Sequence, residues 1–137
     1  MKTQLMATAL ATIMAVSPAF AETLKMSHVR PQGATIDVEL RAFAADVATA
    51  TGGDVEIELF PASALGDYTA VQERISVGAL DMATQPAAAA VDRRMQISSF
   101  PYMAETWAQA RAVYGPGGVV RDVMTGLCAE QDITLPA

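Results

Sequence analysis

At 137 residues, with 52% hydrophobic and 18% charged residues, the chain has the composition of one globular domain able to bury a core. A net charge of −6, with Lys2 and Lys25 the only lysines and the arginines scattered, argues against nucleic acid, whose phosphates need clustered cations. Cys128 is the sole cysteine, which excludes an intrachain disulfide; on a helical stripe it reads as a small core residue.

The predicted elements begin with an export signal over residues 1–21. Lys2 supplies the positive start, Leu5 to Val16 the apolar run, and Ala19-Phe20-Ala21 a small-residue cleavage site. The run is short for a bilayer span. Cleavage after Ala21 is the expectation, leaving residues 22–137 exported and periplasmic. Thr23 to Val29 then alternates as a first strand, and Arg30-Pro31-Gln32-Gly33 breaks it. A helix over 34–51 carries Ile36, Leu40, Phe43 and Val47 on one stripe, with Asp37, Glu39, Arg41 and Asp46 opposite. Thr51-Gly52-Gly53 stops it.

Next comes strict alternation over 54–60, with Val55, Ile57 and Leu59 facing one way and Glu56, Glu58 and Phe60 the other. Pro61 ends this strand and Asp67 caps a helix over 67–78. On that helix Tyr68, Val71 and Ile75 form the apolar stripe, and Gln72, Glu73 and Arg74 turn away. Gly78 closes it, and 79–84 enters a third strand. Strand, helix, strand, helix, strand predicts an α/β fold with a mostly parallel sheet flanked by helices. Asp92-Arg93-Arg94 reads as a polar loop. A helix over 105–114 is expected to bury Trp107, Ala110 and Tyr114. Gly115 to Gly118 interrupts it, 119–129 forms a helix on Val120, Val123, Met124, Leu127 and Cys128, and 133–135 starts another strand.

Phe60-Pro61 with Leu65-Gly66, followed by Glu73, Ile75, Gly78, Leu80, Asp81 and Met82, makes the pattern F-P-x-x-x-L-G and E-x-I-x-x-G-x-L-D-M. This pattern resembles the periplasmic solute-binding proteins of the tripartite ATP-independent (TRAP) transporters, the dicarboxylate-binding, DctP-like family. The resemblance implies a periplasmic-binding-protein-like lobe that captures a small organic acid and hands it to membrane permease subunits, with no cofactor and no ATP hydrolysis. It covers the first lobe of a two-lobed receptor. The family's carboxylate-gripping arginine lies in the second lobe, in a G-x-K-x-R-x-P context that this sequence lacks. The expectation is therefore an N-terminal lobe over 22–137, a truncated form with the second lobe absent.

Ligands of open α/β sheets sit beyond the carboxyl ends of the strands. His28 and Arg30 stand at the end of the first strand, where Arg30 offers a fork to a carboxylate and His28 a hydrogen bond. The resemblance adds Tyr68, Gln85 and Pro86 as cleft positions. The plainer readings are a solvated loop arginine, a satisfied histidine, and packing at a helix start and a strand end. Asp54, Glu56 and Glu58 have too few oxygens and no glycine-bearing acidic loop for calcium, so they read as a solvated strand face and no metal is expected. One histidine, one cysteine and no nucleophile or phosphate-loop motif argue against an enzyme. Two other readings remain beside the receptor: a non-functional or structural exported fragment, and a periplasmic hydrolase.

Overall fold

A computed structural model of the chain describes residues 21–136. The signal expected over residues 1–21 therefore lies, but for Ala21, outside the described residues. The described elements run β1 (Glu22–His28), α1 (Thr35–Ala50), β2 (Val55–Phe60), α2 (Tyr68–Ser76), β3 (Met82–Thr84), a 3-10 helix (Arg93–Ser99), α3 (Trp107–Tyr114) and α4 (Val119–Ala129).

The three strands form one parallel sheet in the order β2-β1-β3. Leu24 pairs with Ile57 and Met26 with Leu59, so the apolar residues of β1 and β2 share a face. Lys25 pairs with Glu58 on the other. α1 packs against β2 and α2 against β3. Both crossover helices end in the same way. Gly53 N–H returns to the Ala48 carbonyl (2.8 Å) and Ala79 N–H to that of Arg74 (2.8 Å), across Gly52 and Gly78 at φ of 64° and 70°. Glycine takes that left-handed turn without a Cβ penalty, which is why the sequence stops both helices there.

Four sequence expectations need correction. The third strand begins at Met82, not at Ala79, because the amides of Ala79 and Leu80 are used in capping α2. No strand forms at 133–135. Asp132 takes φ 57° and the Ile133 amide returns to the Cys128 carbonyl (3.0 Å), turning Ile133 and Leu135 onto the helical cluster of Met95, Val120, Met124, Leu127 and Cys128. Trp107 and Tyr114 are exposed, since α3 buries none of its residues. Residues 93–99, expected in part as a loop, form the 3-10 helix that carries Met95 into the core.

The helix faces shift as well. Asp37 and Gln72, both expected to face solvent, are buried, while Ile36, Phe43 and Val123 are exposed. Gln72 is a polar link between the two parts of the fold. Its Oε1 accepts from the Ala88 amide (2.8 Å), and its Nε2 donates to Gln131 Oε1 (2.8 Å) and to the Met95 sulfur (3.2 Å). A buried amide so satisfied is stable inside a core; unsatisfied, it is costly.

Candidate functional site at the carboxyl ends of the strands

The chain leaves β1 toward β2 on one side and reaches β3 on the other. The order β2-β1-β3 thus places a topological switch point between β1 and β3, where open α/β sheets bind ligands. His28 and Thr84 are register partners at that edge, and Gln85 and Pro86 follow directly.

His28 is fully buried. Its Nε2 lies 3.0 Å from Asp37 Oδ1, and its Nδ1 has no partner. Asp37 gathers three more donor contacts: the Gly33 amide (2.8 Å) and Arg41 Nε (3.1 Å) on Oδ2, and Arg41 Nη2 (3.0 Å) on Oδ1. The Arg41 guanidinium first, then the Gly33 amide and His28, hold the Asp37 carboxyl down to about 2, against the opposing pull of burial. An ionised carboxylate only accepts hydrogen bonds, so His28 donates to it from Nε2. The i, i+4 spacing of Asp37 and Arg41 was a readable signal for this cluster.

The sign of the resulting pH effect follows. Asp37 binds its proton less readily folded than unfolded, so its contribution to stability is complete above the ordinary carboxyl value of 3.8 and fades as pH falls toward about 2. Asp92, drawn down mainly by hydrogen bonds from Arg94, acts in the same direction. Urea midpoints should fall between pH 5 and pH 2, and Asp37→Asn should flatten that slope. An unchanged slope in the variant would rule Asp37 out as the titrating group.

Arg30 is exposed, two residues beyond β1, and its guanidinium makes no ion pair among the described residues. Tyr68 and Gln85 are brought together: Gln85 Nε2 donates to the Tyr68 carbonyl (2.8 Å), leaving Gln85 Oε1 buried without a partner. Pro86 is exposed beside them. Tyr68 also lines a depression of about 240 Å³ with Ser63, Asp67 and Thr69. That depression is open and falls below the usual volume of a ligand pocket. Sequence reasoning missed the cluster of Asp37, Arg41 and Gly33 around His28.

Elsewhere, Cys128 packs in the α4 cluster, where burial pushes its thiol pKa up, opposite to what a nucleophilic thiolate needs. Among the described residues no group of three His, Cys, Asp or Glu side chains could hold a metal ion. Nor is any described helix long and apolar enough to cross a membrane.

The family model for bacterial extracellular solute-binding proteins of family 7 (DctP) matches residues 26–134, which include the end of β1, both crossover helices and all of the edge just described. The chain belongs to that family. Solved structures agree on the fold of this family 7 lobe. DctP7 of Bordetella pertussis, an extracytoplasmic solute receptor binding pyroglutamic acid, superposes with a TM-score of 0.71 at 22% identity, over 84% of this chain and 38% of its own. A TRAP periplasmic solute-binding protein of Haemophilus influenzae with bound L-gulonate gives 0.71 at 19%, over 85% and 38%. One from Rhodoferax ferrireducens with bound malonate gives 0.67 at 29%, over 79% and 36%. The family 7 chain described here thus spans little more than a third of the length of these structures.

Proposed function

We propose that this chain is the solute-capturing lobe of an extracytoplasmic receptor of a TRAP-type transporter, binding a small organic acid and delivering it to membrane permease subunits. The family match across residues 26–134 is the observation that carries this reading. Pyroglutamic acid, L-gulonate and malonate, bound by the similar structures, all bear a carboxylate, which supports the ligand class. In this reading Arg30 meets the carboxylate, Tyr68, Gln85 and Pro86 form the adjoining wall, and His28 contributes its unpartnered Nδ1. The protein binds and releases and carries out no bond chemistry. Residues 1–21 direct export and are then removed, which leaves Glu22 as the first residue.

Two measurements test this. Calorimetry of the exported chain against C4-dicarboxylates, 2-oxo acids and sugar acids should give weak binding, looser than micromolar, with at least one, because contacts from a single lobe compete with water. Arg30→Gln should then weaken that binding by about ten- to a hundredfold, the worth of one charge-assisted hydrogen bond. A folded chain silent to the whole panel, or one indifferent to Arg30→Gln, overturns the assignment. Mass spectrometry of the exported protein should show Glu22 as its first residue; an intact Met1 would refute the cleavage site.

A further inference from the structure

The turn after β1 is fastened from two directions. From α1, Asp37 accepts the Gly33 amide and His28 Nε2, while Arg41 closes over both of its oxygens. From the end of β2, the Ala62 amide donates to the Arg30 carbonyl (2.8 Å) and the Ser63 amide to the His28 carbonyl (3.2 Å). Ala62 and Ser63 reach those carbonyls in left-handed backbone, at φ of 55° and 58°. Two successive non-glycine residues hold such a conformation only where the surrounding structure over-determines them. Arg30 sits between the fastenings with its guanidinium exposed, whereas that of Arg41 is engaged by Asp37.

We propose that Asp37 is a positioning residue for anion capture, its carboxylate fixing the backbone of residues 29–33 so that Arg30 is held ready at the switch point. This rests on the receptor reading above. A guanidinium on a fixed backbone loses less freedom when it meets a carboxylate than one on a loose loop, so rigidity at Asp37 appears as affinity at Arg30. Asp37 itself touches no ligand. Asn at position 37 keeps the shape but offers a single acceptor oxygen and turns an amide toward donors, so it cannot hold Gly33, His28 and Arg41 together.

The test uses the full chain with tartrate as the probe. Amide exchange supplies a readout without ligand: Asp37→Asn should raise exchange at Gly33 and Ala62 and leave β2 protected. Calorimetry supplies the second: the same variant should weaken tartrate by about tenfold, and far less when Arg30 is already Gln. A purely structural role for Asp37 would lower the thermal midpoint without that dependence on Arg30. Arg41→Met, half-exposed and so compatible with folding, should move both readouts part of the way, which keeps the test decisive if Asp37→Asn does not fold. Equal loss in both backgrounds, or tartrate binding untouched by a variant with raised exchange, overturns the positioning role alone. Failure of the unaltered chain to bind tartrate overturns it too, and failure with the whole acid panel removes the receptor reading as well.

Discussion

Met95→Ala is expected to cost about 2–5 kcal/mol of folding stability, the range for truncating a buried large side chain to a methyl group. Met95 is 1% exposed and packs with Val120, Met124, Leu127 and Cys128, with Ile97, Ile133 and Leu135 around them. Truncation removes the apolar surface and leaves a cavity among residues from three separate segments. It also removes the sulfur that Gln72 Nε2 meets at 3.2 Å. Urea unfolding followed by circular dichroism measures the loss. Met95→Leu, close in volume, should cost less than about 1.5 kcal/mol. A loss below about 1 kcal/mol for the alanine variant would mean that this cluster collapses around the gap.

Gln72→Leu is expected to destabilise by about 1–3 kcal/mol, for the opposite reason. It adds apolar surface to the core but strands the Ala88 amide, which has Gln72 Oε1 as its buried acceptor. Gln131 loses its donor at the same time. The link runs from α2 to the segment after β3 and to the end of α4, so hydrogen exchange should show residues 87–136 opening ahead of the sheet. Adding Gln131→Leu should cost less in that background than alone, because the two side chains share one hydrogen bond. Strict additivity would dissolve the link as a structural unit.

Much of the sheet was legible because alternation and capping act locally. Val55, Ile57 and Leu59 announced their common face, and Gly52 and Gly78 announced where α1 and α2 end. The parallel pairing of β1 with β2 followed from the helix between them. Asp37 and Gln72 were misplaced because a helical stripe ranks side chains by their cost in an apolar medium. That cost disappears when donors and acceptors converge from elsewhere in the chain, as His28 and Gly33 do on Asp37 and Ala88 does on Gln72. Ile133 and Leu135 show the same limit in another form. Alternation marks an extended segment with one buried side, and it cannot say whether the burial is against a sheet or, as here, against helices. At the site, the resemblance named Tyr68 and Gln85 only as separate cleft positions, and the hydrogen bond from Gln85 Nε2 to the Tyr68 carbonyl was not legible in the sequence. The clamp on the Arg30 turn depends on backbone carbonyls, which no side-chain pattern encodes.

The exposed Trp107 at the start of α3 has a practical consequence in spectroscopy. It is the only indole in the chain and is 81% exposed, so its emission is already that of a water-bathed fluorophore. Unfolding should scarcely shift that emission, and a fluorescence melt would report little of what the sheet and the α4 cluster are doing. The same indole, flanked by Ala104, Glu105, Thr106 and Ala110 in a shallow hollow, should shift to the blue and resist quenching by iodide when another surface covers it. Nature has left this lobe with a poor thermometer and a good contact sensor.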